Sequence, residues 1–341
     1  MSRNAIVAGP EPSHATHVLH HPALAANPLA DSGARQSPLN ATASGLSGKE
    51  LGAALAIVVI WGVNFIAMKF GLRDFTPFQL GAGRYLAAAL PLVLLIRPPR
   101  VHWKWVVLYG LCQGVGQFGF LFVALQVGMT ASLASVLMQT QVFFTALFGF
   151  VLLRERASRP LQVGMALAAL GLACFVMDYL APGASSATTA LGFGLSLCAA
   201  AMWAASNIVA RKAQQASAGF DPVAFVVWAS TVPVLPFVLL TLSLDPVASR
   251  ANWANAAWSS WVAIAFLGWI ATVAAYGMWT GLLKRHPANR VAPFSLGVPV
   301  VGLTAGILVL GEAVTPWQWA GIVLVVAALA CVMLGPRIMK R

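Results

Sequence analysis

The sequence predicts an all-α membrane protein of ten transmembrane helices, arranged as two inverted five-helix repeats. Three observations carry that prediction. Hydrophobic residues make up 59% of the chain and charged ones only 9%, with a mean hydropathy of +0.80, whereas a soluble domain has roughly a quarter of its residues charged. The apolar residues gather into runs of about 20, the length at which a helix crosses a hydrocarbon core about 30 Å thick; membrane strands would instead show alternating segments of roughly ten. The first five runs return as the last five, and an odd number of spans per unit inverts the second unit in the membrane.

Residues 1–48 are rich in Pro, Ala, Ser, Asn and His and have no helical period. They are expected to form a disordered cytoplasmic tail. The tail lacks the compact apolar core and small-residue cleavage site of a signal peptide, so the first helix is expected to be retained. His14, His17, His20 and His21 resemble a metal tract but sit in a flexible setting and read as a solvated, biased segment. Asn40-Ala-Thr42 matches the glycosylation pattern, which is a weak signal at that length.

Ten apolar spans come next, at approximately 51–70, 78–96, 104–125, 131–153, 160–180, 190–213, 222–244, 258–282, 288–310 and 316–335. Thr76-Pro77, Asp221-Pro222 and Thr315-Pro316 each place a capping side chain before a proline, and Ser158 stands two residues before Pro160; these are helix starts. The ninth span carries Pro293 and Pro299, each of which removes an N–H and crowds the carbonyl a turn earlier. Inside a bilayer the freed groups need a neighbouring helix, a side chain or water.

The repeat has an offset of about 142 residues, rising to about 157. It pairs Trp61 with Trp203, Asn64 with Ser206, Lys69 with Arg211, Pro77 with Pro222, Gly110 with Gly268, Ala134 with Ala292 and Glu155 with Glu312. The units are read as 49–180 (helices 1–5) and 190–335 (helices 6–10). Of the 21 lysines and arginines, a cytoplasmic N-terminus places 17 on the inner side; Lys69, Arg73 and Arg250 fall outside and Arg84 within the membrane. That bias predicts both termini in the cytoplasm. Positive-inside topology also accounts for the net charge of +12, because the basic residues occur in twos and threes with no long basic arm; a nucleic-acid partner is not expected. Cys112, Cys174, Cys198 and Cys331 share no metal-like spacing and read as small packing residues, so neither a metal nor a cofactor is expected.

Few residues in the spans can carry chemistry. Arg84 stands alone in the second span, where a cation costs several kcal/mol unless it is paired, hydrated or snorkelling. It either faces a cavity or reaches the outer interface. In the third span Tyr109, Gln113, Gln117 and Phe120 recur at helical spacing, so two amides share a face with aromatics on either side. Ser132, Ser135 and Gln139 form a polar stripe in the fourth. The first span offers Trp61 and Asn64, the sixth Trp203, Ser206 and Asn207, the eighth Tyr276, Trp279 and Thr280, and the ninth Ser295 between its prolines. Such groups line a path or hydrogen-bond between helices, for about 1 kcal/mol each. Gly110, Gly114, Gly116 and Gly119 suit close helix packing, and Lys69 a helix-end anchor. No Asp, Glu, Lys or His lies near the middle of a span, and there is no P-loop or Ser-His-Asp set, so hydrolytic machinery is absent and the protein is not expected to be an enzyme.

Inverted repeats, broken spans and polar groups at the repeat interface are the signature of a secondary transporter. Trp61-Gly-Val-Asn64-Phe, Arg84-Tyr85, Arg154-Glu155-Arg156 and above all Arg290-Val-Ala-Pro-Phe-Ser-Leu-Gly-Val-Pro-Val-Val-Gly302 resemble the bacterial EamA family of the drug/metabolite transporter superfamily, over residues 50–335 or so. Within it the chain is most similar to the exporters of amino-acid metabolites, those acting on cysteine and O-acetylserine. The resemblance implies a bacterial inner-membrane exporter, a multi-pass monomer or homodimer in membrane lipid, that moves a small-molecule substrate by alternating access. The long tail and Gly311-Glu312-Ala313, where Arg or Lys often comes after the Glu, depart from the family pattern. A zwitterionic cargo would set its carboxylate on Arg84 or the side-chain amides and its ammonium on carbonyls freed at Pro293 and Pro299. Coupling is open between facilitated diffusion and proton exchange through Asp178, Glu155 or water. The fourth span has no proline, so the ninth alone is expected to present exposed backbone to the cavity. A rival reading, a receptor or scaffold that transports nothing, would need an ordered cytoplasmic domain that these loops do not supply.

Overall fold

In a computed structural model of the chain, residues 46–153, 158–180, 188–286 and 288–338 are described. The 1–45 part of the tail, with its histidines and Asn40, and Glu155 lie outside them. The regular elements among the described residues are all helical. The long segments are α1 (Gly48–Gly71), α2 (Pro77–Val93), α3 (Trp103–Gln126), α4 (Ala131–Val151), α5 (Arg159–Leu180), α6 (Ala190–Gln215), α7 (Pro222–Leu244), α8 (Trp258–Leu282), α9 (Pro293–Leu310) and α10 (Pro316–Ile338). Among the described residues nine helices are long and apolar enough to cross a membrane; α2, with 17 residues, is shorter. It ends at Val93, before the predicted 96, and a turn at Leu94–Ile96 leads into Arg97-Pro98-Pro99.

The helices start where the cap signals place them. Ser47 and Glu50 form a capping box on α1, Thr76 and Gln79 another on α2, and Asp221 accepts from Val223 N and Ala224 N ahead of α7. Thr315 Oγ1 accepts from Gln318 N at 3.2 Å at the start of α10.

Two pairs of helices depart from regular α geometry, and α7 is interrupted by a turn between Ala229 and Val234. In α3 residues Gly110–Phe118 form a π-helix, and in α8 residues Phe266–Ala274 form another, at corresponding places in the two units. The ninth span enters through a 3-10 segment, Ala292–Leu296, and becomes α-helical at Gly297, as expected of a stretch whose Pro293 and Pro299 lack N–H groups. The fourth span, which has no proline, is interrupted as well. Met138–Thr140 is also 3-10, and the Thr140 hydroxyl donates to Leu137 O at 2.6 Å, which competes with the i→i+4 ladder as proline does elsewhere.

The helices pack mainly across the two halves of the chain: α5 against α10, α1 against α8 and α9, α3 against α6 and α7, α4 against α6 and α9, and α2 against α7 and α8. Exchanging each helix for the one five places along maps these pairings onto one another. Glycine allows close crossings. A Cβ on Gly62 would come within 2.5 Å of the Val301 side chain, so α1 and α9 approach closely at that position.

At the end of the bundle where Lys and Arg are scarce, every even-numbered helix start is tied to an odd-numbered helix from the other half. Thr76 Oγ1 donates to Asp245 Oδ2, and Thr315 Oγ1 and Gln318 Nε2 donate to Asp178. Asp74 Oδ2 accepts from Ala257 N and Ser260 Oγ, and Thr189 Oγ1 donates to Val127 O. Glu312 accepts from Ala131 N and Ser132 N. These five ties close that end.

Candidate functional site

A cavity of about 300 Å³ lies among the broken helices. Of the residues singled out in the sequence, Asn64, Arg84, Gln117, Ser135, Gln139, Asn207, Tyr276, Trp279 and Ser295 line it, with Trp61 and Trp203 beside them. Trp279, Ser295 and Met333 come from the basic-rich ends of α8, the α9 entrance and α10, so the cavity reaches toward that end and away from the five ties.

Arg84 is its most distinctive group. It is 2% exposed, so the outer-interface alternative does not apply. Nη1 donates to Asn64 Oδ1 at 3.4 Å and Nη2 to Thr272 Oγ1 at 3.1 Å, while the guanidinium carbon sits 3.8 Å from the centroid of the Phe118 ring. Nε has no partner among the described residues. All of these contacts are neutral, and no acidic side chain among the described residues lines the cavity. A cation–π contact with a desolvated ring stabilises by about 2 kcal/mol, which falls short of what a carboxylate would supply to a charge taken out of water. The site is therefore a fixed positive charge facing space large enough for a small ligand.

The π segments put Arg84 where it is. Phe118 closes the first and Thr272 lies in the second, so the guanidinium bridges the two halves of the chain. Neither residue is among those singled out in the sequence. An α period through α3 places Phe120 on the amide face, but an i→i+5 turn rotates the remainder of the helix. Phe120 points outward, 38% exposed, and Phe118 lies under the arginine. Thr272 was legible as a hydroxyl in an apolar run, and its Oγ1 also donates to Leu267 O at 2.8 Å.

Other predicted residues form the walls. Gln113 Nε2 donates to the Tyr276 hydroxyl at 2.8 Å and Gln113 Oε1 accepts from Ser206 Oγ at 3.3 Å. This network lies behind Arg84 around a space of about 20 Å³, room for about one water. Ser206 itself is fully buried and lines neither space. Asn207 Nδ2 donates to Gln141 Oε1 at 2.9 Å. Trp61 donates through Nε1 to Ala271 O and packs 5.3 Å from Tyr276 and 5.4 Å from Trp279, ring centre to ring centre. Pro293 and Pro299 are not on the cavity surface. The carbonyl freed by Pro299, that of Ser295 four residues earlier, accepts from Gln139 Nε2 at 3.0 Å, so a side chain of the first half already serves it.

This is a polytopic helical membrane protein with a central cavity, apolar over most of its lining, at the interface of its two halves. The EamA-like transporter family matches residues 49–177 and again 190–334, and the chain belongs to that family. A probable amino-acid metabolite efflux pump of Salmonella typhimurium is 38% identical over 288 residues, which cover 84% of this chain and 95% of the relative. Its namesake in Escherichia coli is 36% identical over 285 residues, 83% of this chain and 94% of the relative. A crystal structure with 20% sequence identity superposes with a TM-score of 0.56 over 86% of this chain and 98% of its own, which supports the fold.

Proposed function

We propose that the protein exports amino-acid metabolites across a bacterial inner membrane by alternating access, with Arg84 receiving the cargo's carboxylate. The buried guanidinium with only neutral partners carries this reading: a bound carboxylate would complete its hydrogen bonding through Nε and neutralise the charge, and bidentate Arg–carboxylate pairs are among the strongest polar contacts. The names of the two relatives support the cargo class. The cargo's ammonium finds side-chain acceptors and aromatic faces, Trp61 and Tyr276 among them, in place of the proline-freed carbonyls expected from the sequence.

In this reading α1–α10 all span the membrane as two inverted units, 49–180 and 190–335, behind a tail of residues 1–48. The pairwise exchange of helix contacts supports the inversion. The excess of Lys and Arg supports cytoplasmic termini, which makes the end closed by five ties the outer one and leaves the cavity on the cytoplasmic route. Rocking of one unit against the other then opens the outer end.

The test is uptake into inside-out vesicles of labelled cysteine, O-acetylserine and a panel of other amino acids. Arg84→Ala and Arg84→Lys are both expected to reach normal membrane levels and to lose at least about tenfold in flux, because a lysine cannot reproduce the planar fork. Full flux through Arg84→Ala would remove the assignment.

A further inference from the structure

Gly311, at φ 66°, ends α9 in a left-handed turn that sends Glu312 back across the bundle. There its Oε1 accepts from Ala131 N at 2.7 Å and its Oε2 from Ser132 N at 2.8 Å. A carboxylate of the second half thus caps the opening turn of a helix in the first, where N–H groups lack helical partners. The carboxylates of Asp74, Asp178 and Asp245 each hold at least one hydroxyl, which can turn to another partner. Glu312 holds backbone N–H groups through both oxygens, and these have no alternative. Beneath it Ser132 Oγ donates to Leu303 O, Ser135 Oγ donates to Ser132 O, and Ser135 and Gln139 line the cavity, so a polar column runs from Glu312 to the site.

For the cavity to open at this end α4 and α9 must part, and Glu312 must release both N–H groups into a half-dry boundary. Uptake of one proton, turning carboxylate into carboxylic acid, removes the charge that release would strand. The charged groups facing it are few. Lys69, at the end of α1, lies within reach of its field and donates through Nζ to Leu125 O at 2.8 Å. Asp178 is held instead by Thr315 and Gln318 at the start of α10. The first turn of α4 and the end of α3 bring no titratable side chain.

We propose that Glu312 is a proton-binding site that latches the outer end: ionised, it holds the end shut; protonated, it lets it open. The proposal builds on the exporter reading, and Glu312 is a positioning residue that does not touch cargo. It is tested without cargo, by amide hydrogen exchange across residues 131–134 of the full chain in lipid nanodiscs at about pH 7.5 and about pH 5, corrected for intrinsic rates. Wild type is expected to exchange several-fold faster at the lower pH. Glu312→Gln should exchange fast at both, and Asp178→Asn should keep the wild-type response. Glu312→Asp, which retains a titratable group, should keep a pH response with weaker protection, and serves if Glu312→Gln fails to fold. Protection in wild type that ignores pH, an unchanged response in Glu312→Gln, or its loss in Asp178→Asn would each overturn the proposal. Because no cargo is present, such a result stands apart from failure of the export assay.

Discussion

Arg84 shows how far one residue can be read. Its cost in an apolar span marked it as functional or snorkelling, and burial at 2% exposure rules out snorkelling. Gln139 illustrates a finer exchange. Its amide reaches Ser295 O, the carbonyl that Pro299 leaves without its helical donor. Replacing it with leucine, Gln139→Leu, is expected to cost about 1 kcal/mol, the net contribution of one such hydrogen bond. Pro299→Ala in the same background supplies a backbone N–H to that carbonyl and should recover part of the loss. Thermal melts of the single and double variants in detergent measure the coupling, and strictly additive losses would contradict it.

At the scale of elements, the paired π segments organise the site. A π-helix behaves as one residue inserted into an α-helix, and it rotates everything beyond it. Deleting Leu111, an exposed member of the first segment, should return α3 to regular geometry. The expected result is normal insertion with transport reduced at least about tenfold, because displacing a binding group by an ångström already costs that order of rate. Vesicle flux, compared with the monodispersity of the purified variant, reads this out. Deletion of a residue from the regular early part of α5, which lines no cavity, is the control. The 3-10 segments of α4 and α9 belong to the same class of device, one set by a threonine and the other by prolines.

For the molecule as a whole, closure at one end rests on five ties between the halves. Asp74 lies outside the spans, and the Ser260 hydroxyl and the Ala257 N–H hold its carboxyl below the usual carboxylate range. A group whose folded value is depressed stabilises the fold above its unfolded value, and the contribution disappears as pH falls through the folded one. The melting temperature of the wild type is therefore expected to fall below about pH 4, and Asp74→Asn should flatten part of that slope while lowering stability at neutral pH. A variant whose acid limb matches wild type would show that Asp74 contributes nothing to closure.

Composition, span length, the repeat and the cap signals determined the membrane class, the helix starts and the candidate polar residues. Each of these is set by local sequence, through burial in lipid and through the four N–H groups that every helix start must satisfy. Most of the polar residues picked out in the spans do line the cavity. Tertiary structure alone decided the π register that puts Phe118 rather than Phe120 beneath Arg84, the pairing of Gln139 with the Ser295 carbonyl, and the five ties at the closed end. These join residues far apart in the chain or shift a helix by one residue. A hydrophobic period averaged over a span carries no trace of either, because it registers which side chains are apolar and not which polar group meets which.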